Sequence, residues 1–303
     1  MNSKVSNCCV IITTYNDEYS DLSRAVESVI NQKVLPEQII VVDDGSSNNT
    51  SDLVADNLFK LSSSPIFLLK KENGGPSSAR NYGLKYCTSD FVTFLDSDDV
   101  MLEDNIEKKD LAMKTLSLDY FGVYGTHVKE NGEFQQYGRF DGVLNPDLIG
   151  RKNGFPGGVH TYLFRLKNLI DVGGFDETLV NNEDYDLVIR LIKKKLKAKG
   201  GGGPGFIKTN REGSLSRSND YLKVYNNVRL FLDKAEKNNY FSNAELNRRK
   251  AGIELWLARQ IVKASGERFE SFKHFRVAFY YIRRAGFKQY FKYFLLRFGV
   301  ALN

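Results

Sequence analysis

The sequence predicts an α/β domain with a mixed, mostly parallel sheet flanked by helices, followed by a helical extension. Two observations predict the sheet: short β-rich runs alternate with amphipathic helical patterns in the first hundred residues, and polar clusters follow these runs directly. The third observation predicts the extension, because the pattern is helical from about Ser218 to the end. We therefore place a soft boundary near residue 216.

Four apolar runs predict the parallel strands, at residues 8–13, 39–42, 66–70 and 91–95. Between the first two runs, apolar residues recur at the spacing of one helical face: Leu22, Ala25, Val26, Val29 and Ile30. The turn and cap residues of "DDGSSNNTS" predict a second helix, and "GGPSSARNYGLKYC" predicts a glycine turn that leads into a third. Each run is thus followed by a loop and, in the first three cases, by a helix.

Antiparallel structure is expected to join the parallel half after residue 100. A helix around residues 103–118 leads to "YFGVYGTHVKE", and the Asn-Gly pair that follows is typical of a hairpin turn. The segment "EDYDLVIRLIKKK" predicts a helix with one apolar face. We interpret "KGGGGPGF" as the linker that ends this helix.

Three carboxylates, Asp96, Asp98 and Asp99, follow the fourth run within "FLDSDDV". Two carboxylates spaced as Asp-x-Asp can offer hard oxygen ligands to one divalent cation. Mg²⁺ or Mn²⁺ bound by so few side chains keeps coordination positions for the oxygens of a diphosphate. Taken alone, the pattern also fits a solvated turn with capping aspartates.

Further polar clusters follow the other strands of this half. The first, "VIITTYN", carries hydroxyls and an aromatic ring that can pack against a nucleobase. The second, "IIVVDDGSSNNT", places Asp43 and Asp44 where a carboxylate can accept the imide N–H of uracil or thymine. The third, "NGGPSSARNYG", adds Arg80, whose guanidinium can meet a base carbonyl or a phosphate. Each cluster alone also fits a polar turn or a cap, but all of them are expected at the carboxyl edge of the sheet, where ligands bind.

The order and spacing of these motifs resemble the family-2 inverting nucleotide-sugar glycosyltransferases. The motifs are "VIITTYN", "LPEQIIVVDDGSSNNT", "NGGPSSARNYGL", "FVTFLDSDD", "VGGFDE" and "EDYDLVIRL", and the resemblance covers residues 7–218. It implies a GT-A glycosyltransferase domain over 1–216, with a nucleotide-binding half (1–100) and an acceptor half (101–216). A helical, basic and aromatic extension over 217–303 lies outside the resemblance.

The resemblance also implies residue roles in binding the donor. Thr13 and Tyr15 would line the nucleotide base, and Asp44 would bind its imide, with Asp43 as the less favoured alternative. Arg80 would lie beside the base and the diphosphate.

At the fourth strand, Asp96 with Ser97 would meet the ribose and the metal-bound phosphates. Asp98 would be the principal ligand of Mn²⁺ or Mg²⁺, with Asp96 also near the ion. Asp99 would instead cap the helix that follows.

In the motif "NNEDYDL", Asp184 matches the catalytic base of the family, with Glu183 beside it as a supporting group. A base at the start of a helix is kept ionised by the helix dipole, and one carboxylate suffices to deprotonate an attacking hydroxyl. We interpret Asp186 as an exposed helix residue.

This sequence departs from the family after the glycine-rich stretch. Arg211 stands where the family often has a histidine that contacts metal or phosphate, and an arginine can hold a phosphate but cannot ligate the cation. His127 and His160 are the remaining candidates for that contact in this domain, although we favour an interpretation of each as a loop or strand histidine without a catalytic role.

The resemblance implies an inverting enzyme that moves a sugar from a UDP- or dTDP-sugar to a hydroxyl of a saccharide or lipid-linked saccharide. Bacterial surface polysaccharide synthesis, of O-antigen or capsule, is the expected setting, and the acceptor could be linked to polyprenyl diphosphate. Two alternatives stay open. A sugar nucleotidyltransferase should carry a glycine-rich N-terminal signature that "VIITTYNDEYS" lacks. A non-catalytic nucleotide-sugar-binding or scaffold protein is disfavoured by the intact "DSDD" and "ED".

The formal net charge of +6 is concentrated at the end of the chain. Glu267–Asn303 holds eight Lys or Arg, two acids and twelve Phe or Tyr. This composition is typical of an interfacial helix on anionic lipid, and equally of a helical subdomain that packs its rings against the core. No nucleic-acid-binding motif accompanies it. With no apolar run of spanning length and no signal peptide, we expect a cytoplasmic protein, with peripheral binding at the inner face of the membrane as an open alternative.

Overall fold

The computed structural model describes residues 4–129, 132, 134–135, 141–149, 158–209, 220–265 and 268–284. The chain divides into two compact units, Met1–Glu212 and Gly213–Asn303. The boundary expected near residue 216 lies outside the described residues.

In its described residues, the first unit is built around one ten-stranded sheet. Its strands are β1 (Val5–Thr14), β2 (Leu35–Asp43), β3 (Ile66–Lys70), β4 (Phe91–Asp96), β5 (Val100–Met101), β6 (Tyr120–Lys129), β7 (Phe134–Gln135), β8 (Asp141–Gly142), β9 (Tyr162–Arg165) and β10 (Lys197–Lys208). The order is β3-β2-β1-β4-β9-β6-β10-β5, with β7 paired to β6 and β8 to β10. The first four strands are parallel to one another, as predicted, whereas β9 is antiparallel to both β4 and β6.

Helices pack on both faces of the parallel half. The helices of this half are α1 (Tyr19–Ile30), α2 (Thr50–Leu58) and α3 (Gly75–Tyr86), and the first unit also contains α4 (Asn105–Lys114), α5 (Leu166–Asp171) and α6 (Glu183–Lys193). Because side chains alternate along a strand, Val10 and Ile12 of β1 join the buried cluster of α1 and α2, whereas Ile11 meets α3. A Cβ at Gly83 of α3 would lie 2.8 Å from Ile11 Cγ2, so glycine allows this close approach.

The interpretation of "KGGGGPGF" as a linker is wrong, because this segment lies within β10. The strand runs parallel to β6 with register shifts around Pro204. Glycine gives no alternation of apolar and polar side chains, so the pattern that identifies strands was missing from the sequence. One of the glycines, Gly205, is required by packing, since a Cβ there would lie 2.2 Å from Asn105 Oδ1 of α4.

A lysine is buried between α4 and β10. Lys109 is 1% exposed, its Nζ lies 4.8 Å from the ring centroid of Phe206, and its amine has no hydrogen-bond partner within the described residues. Burial lowers the pKa of Lys109 to about 7.

We expect Lys109→Met to stabilise the protein most below about pH 7. In that range wild type must bury a charged amine, which costs on the order of 1 kcal/mol or more, since one pKa unit corresponds to about 1.4 kcal/mol. As the pH rises from about 7 towards 10, the unfolded chain keeps a proton that the folded chain has lost, so the stability of wild type rises and the advantage of the variant shrinks. Urea unfolding at pH 6 and pH 9 measures this, with Lys108→Met, at a half-exposed neighbour, as the control. An advantage that is the same at both pH values would contradict it.

The second unit consists, in its described part, of three helices: α7 (Tyr221–Lys237), α8 (Asn243–Ser265) and α9 (Arg268–Arg284). Glu254 of α8 is buried and joins them, since its carboxylate accepts hydrogen bonds from Tyr225 and Arg229 of α7 and lies 2.7 Å from His274 Nδ1 of α9. In the described chain, none of the helices combines the length and apolar character that crossing a bilayer requires. Residues 285–303 of the basic aromatic tail lie outside the described part.

Candidate active site

Arg80 joins two of the predicted site carboxylates. Its side chain, on α3, is buried, and its two terminal nitrogens donate to Asp96 Oδ1 at 2.9 Å and to Glu183 Oε1 at 3.1 Å. Asp96 ends β4, and Glu183 begins α6 more than eighty residues later. One guanidinium therefore brings the end of the fourth strand and the "ED" motif to the same place.

Asp184 sits in the first turn of α6 and accepts two backbone hydrogen bonds. Its Oδ2 accepts from the Gly158 N–H at 2.9 Å, and its Oδ1 accepts from the Tyr185 N–H at 2.7 Å. Asn182, at the helix N-cap, adopts a left-handed φ of 65°, which turns the chain into the helix. Burial raises the pKa of Asp184 above its ordinary value, and the two N–H groups oppose this shift.

Glu183 differs electrostatically from its neighbour. Burial, the larger cause, and the charge of Asp184, the second, raise the pKa of Glu183 to about 7. The charge of Arg80 opposes this rise. Glu183 therefore takes up a proton more readily than an exposed carboxylate would.

A second contact route connects Asp184 to the end of β4. A Cβ on Gly158, which donates to Asp184, would lie 2.2 Å from His160 Cε1, so the loop packs directly against the His160 ring. His160 in turn lies with Asp96 and Asp99, since one ligand atom from each of the three lies within 4.8 Å of the others. Strand-end carboxylates and the predicted base thus belong to one site.

The cluster of Asp96, Asp99 and His160 contains atoms suited to a divalent cation. Asp99 Oδ2 and His160 Nε2 are buried and have no hydrogen-bond partner within the described residues. Burial lowers the pKa of His160 to about 3, which leaves the neutral imidazole that ligates metals. Burial, with the charges of Asp96 and Asp98, raises the pKa of Asp99 to about 7, so the local excess of negative charge is unfavourable without a cation.

Asp98 lies beside this cluster and is half-buried. Its backbone carbonyl accepts a hydrogen bond from Arg24 of α1 at 3.2 Å. Its role as principal metal ligand stays a prediction. Sequence reasoning assigned Asp99 to a helix cap and left His160 only as a less favoured candidate for the metal, and no spacing signal links the two, since 61 positions separate them.

The predicted base-binding residues follow β1 and β2. Thr13 pairs in register with Val42 on one side and Asp96 on the other, and Tyr15, just beyond the strand, is 51% exposed. Asp44 is buried and accepts from Lys71 Nζ at 2.6 Å and from the Gly74 and Gly75 N–H groups. Asp44 therefore holds the glycine turn that starts α3, the helix that carries Arg80.

Asp43 has a different set of partners from Asp44. It accepts hydrogen bonds from the Ser46 N–H and the Ser51 hydroxyl. Burial alone would raise the pKa of Asp43, but these hydrogen bonds outweigh burial and lower it. Asp43 thus stabilises the turn after β2 as an ionised carboxylate.

Asp17 is a site-organising residue that sequence reasoning missed. It is buried, and its Oδ2 accepts from the Thr14 hydroxyl at 2.8 Å, from the Tyr15 N–H at 3.1 Å and from the hydroxyl of Ser97. Ser97, predicted to meet the donor, is thereby tied to the first loop. The sequence did contain a signal for this role. A carboxylate directly after "TTYN" lies within reach of local donors, here the Thr14 hydroxyl and the Tyr15 N–H.

The interpretation of Asp186 as exposed is wrong. Asp186 is fully buried and pairs with Arg190 at 2.8 Å, and Arg190 also donates to the Val172 and Gly174 carbonyls. The pair fixes the "VGGFDE" loop to α6. The same loop is held to α3, because the Phe175 carbonyl accepts from the Asn81 side-chain amide and the Phe175 N–H donates to Asn81 Oδ1. Arg211 lies outside the described residues.

Comparison with curated proteins identifies related sequences. The family model described as glycosyl transferase family 2 matches residues 9–172. The Escherichia coli UDP-Glc:alpha-D-GlcNAc-diphosphoundecaprenol beta-1,3-glucosyltransferase WfgD is 31% identical over 196 residues, which cover 61% of this chain and 69% of that protein. The match to the first curated relatives spans only 27% and 31% of their length.

Solved structures share the fold. The Staphylococcus aureus TarS fragment 1–349 in complex with UDP-GlcNAc superposes with a TM-score of 0.57 at 21% identity, covering 88% of this chain and 70% of that one. The mannosyltransferase PcManGT from Pyrobaculum calidifontis, in complex with GDP-Man and Mn²⁺, gives 0.58 at 14% identity, covering 98% and 81%. The predicted GT-A-like fold is confirmed by these neighbours. Since the family model covers more than half of the chain, the protein belongs to glycosyl transferase family 2.

Proposed function

We propose that the protein transfers a sugar, with inversion, from a UDP- or dTDP-sugar to a hydroxyl of a saccharide acceptor in a metal-dependent reaction. The observation that carries the proposal is the Arg80 bridge, which holds the metal-binding end of β4 beside the "ED" motif. An inverting displacement needs these two groups at opposite ends of one reacting centre, because the hydroxyl attacks in line with the departing diphosphate.

Asp184 is the general base in this proposal. The attacking hydroxyl must lose its proton as the new bond forms, and a carboxylate within hydrogen-bond reach can accept it. Its two N–H partners fix the orientation of the carboxylate, and burial moves its pKa towards neutral pH, where a base is more effective. Glu183 positions Arg80 and shares the local charge with Asp184.

The donor is proposed to bind across the ends of β1, β2 and β4. Tyr15 presents its exposed ring to the base, and Thr13 lies beside it at the end of β1. Asp44 can offer carboxylate lone pairs to the imide, in addition to the N–H groups that it already accepts. Ser97, held by Asp17, and Asp96 lie where the ribose and diphosphate would follow.

A divalent cation fits the residues at the end of β4. Asp96, Asp99 and His160 would hold it, with Asp98 as a further ligand, because carboxylate oxygens and a neutral imidazole suit Mn²⁺ and the buried atoms of Asp99 and His160 otherwise lack partners. When bound, such a cation neutralises the charge that develops on a leaving diphosphate. The Mn²⁺ named in the PcManGT complex supports this choice of ion.

The acceptor is proposed to be a saccharide carried on a polyprenyl diphosphate, in bacterial surface polysaccharide synthesis. The support comes from WfgD, whose name specifies a diphosphoundecaprenol-linked acceptor and a UDP-linked donor. UDP-GlcNAc in the TarS complex supports a uridine nucleotide.

A panel of donors with and without Mn²⁺ tests this proposal. Thermal shift with UDP-, dTDP- and GDP-sugars should show stabilisation by a UDP- or dTDP-sugar that requires Mn²⁺, on the order of 5–10 °C at about a hundredfold excess over Kd. Slow Mn²⁺-dependent hydrolysis of the same donor would distinguish an enzyme from a binding or scaffold protein. Stabilisation by GDP-sugars alone, or equal stabilisation without metal, would refute the proposed donor chemistry. Formation of a nucleoside diphosphate sugar from a nucleoside triphosphate and a sugar phosphate would instead identify a nucleotidyltransferase.

A further inference from the structure

We propose that the outer face of α9 is a docking surface for an anionic lipid membrane. This face consists of two adjacent rows of exposed side chains at helical spacing. The first row is Phe272, Arg276, Phe279 and Arg283, and the second is Lys273, Val277, Tyr280 and Arg284. Each row combines two apolar and two cationic side chains.

The opposite face of α9 already has a partner within its own unit. Ile282 packs with Ala251 of α8 in a buried cluster that Phe275 and Tyr281 join, and His274 lies 2.7 Å from Glu254. Packing on α8 therefore accounts for one side of α9 and leaves the two rows facing outwards.

The outer face has a composition suited to binding the headgroup region of an anionic membrane. No acidic residue occurs from Ser271 to Arg284, so the four cations form a face of single sign that is complementary to anionic lipid. Phe272 is 57% exposed and Tyr280 is 49% exposed. Exposed rings and aliphatic groups on such a helix can enter the boundary between headgroups and acyl chains, while its long cationic side chains reach the phosphates.

Nucleic acid is a less suitable partner for this surface. Arginine and aromatic rings can bind a single strand, but Val277, 40% exposed within the second row, has no ring on which a base can stack. An aliphatic group placed between cations is instead typical of helices that lie in a membrane interface.

Membrane docking would place the protein beside a lipid-linked acceptor, so the inference complements the proposed function. It does not depend on that function, because vesicle binding requires neither donor nor acceptor. A protein that binds vesicles and transfers no sugar would refute only the proposed function, and a transferase that ignores vesicles would refute only the docking surface.

Vesicle flotation of the full chain tests the proposal. Vesicles of phosphatidylcholine alone are compared with vesicles of phosphatidylcholine and phosphatidylglycerol, at low and high salt. The double variant Arg276→Glu/Arg283→Glu reverses two charges on the face, and Lys223→Glu/Lys237→Glu on α7 makes the same change at exposed positions elsewhere in this unit. Phe272→Ser/Tyr280→Ser removes two rings without a change of charge. Circular dichroism melting verifies that each variant is folded.

Wild type and the α7 control should float with the anionic vesicles, and binding should weaken at high salt. The α9 charge variant should lose at least about tenfold in vesicle affinity, since each basic residue near an anionic surface contributes about a factor of five. The ring variant should also lose affinity. Failure of wild type to float, or an α9 charge variant that floats like its control, would overturn the proposal. Binding of wild type to poly(U), lost in the α9 charge variant, together with no flotation, would identify a nucleic-acid surface instead.

Discussion

Asp184→Asn is expected to lower the rate of sugar transfer by about 10²–10⁴-fold, the usual contribution of a general base. The affinity for UDP in the presence of Mn²⁺ should change little, because Asp184 is not part of the Asp96, Asp99 and His160 cluster. In wild type, transfer should decline as the pH falls through the raised pKa of Asp184, since the protonated carboxyl cannot accept the hydroxyl proton. Initial-rate kinetics and calorimetric titration with UDP measure the two effects separately.

The control for this variant is Asp171→Asn, which removes an exposed carboxylate of the same unit. Both oxygens of Asp184 accept N–H groups, so the introduced amide places a donor against a donor and could loosen the Gly158 loop. The melting temperature of each variant therefore has to be compared with wild type. An equal loss of UDP affinity and of rate, in a variant that melts like wild type, would contradict the role of Asp184 as a base.

Asp99→Asn is expected to weaken Mn²⁺-dependent binding of UDP by more than about 10–100-fold. A loss of about 10–100-fold in metal affinity is typical when a residue that hydrogen-bonds to a metal ligand is removed. Removing a residue that itself binds the metal should lower the affinity further. The introduced side chain keeps an oxygen for the hydrogen bond from the Thr209 N–H, so the loop after β4 should stay in place. Titration of UDP with and without Mn²⁺ measures the effect.

Asp98→Asn is the informative comparison for this prediction. If the cation lies among Asp96, Asp99 and His160, then His160→Gln should lower the Mn²⁺-dependent affinity for UDP about as much as Asp99→Asn does. Asp98→Asn should lower that affinity less. If the Asp-x-Asp pair alone binds the cation, Asp98→Asn should be the most damaging of the three. Unchanged Mn²⁺ dependence in both Asp99→Asn and His160→Gln would refute the cluster as the metal site.

The sequence was most informative where local chemistry determines position. Apolar runs that end in polar loops predict parallel strands, and parallel strands bring their carboxyl ends to one edge, so Thr13 and Asp96 could be placed together before their register was known. The convergence of Arg80 and Asp96 follows from the same logic, because α3 begins at this edge and Arg80 lies in its first two turns.

Contacts between distant segments could not be predicted in this way. His160 joins Asp96 because β9, which His160 precedes, runs antiparallel beside β4, and no motif in the sequence indicates that pairing. The partner of a buried polar group depends on which loops meet in three dimensions, and periodicity carries no such information.

Asp186 is different, because a usable signal was present and was outweighed. Asp186 and Arg190 are four residues apart on one helix, the spacing of an ion pair that allows a carboxylate to be buried. In "KGGGGPGF", the missing side chains concealed a strand that needs glycine to approach α4 closely.

A crystal structure with UDP and Mn²⁺ would show whether one cleft combines a metal-held diphosphate with a carboxylate that acts as general base. We expect Mn²⁺ on Asp96, Asp99 and His160, diphosphate oxygens on the ion, the uracil ring near Tyr15, and the Asp184 carboxylate facing the position of the donor sugar. Nucleotide bound away from Asp96, or Asp184 facing a surface with no connection to the diphosphate, would contradict this arrangement.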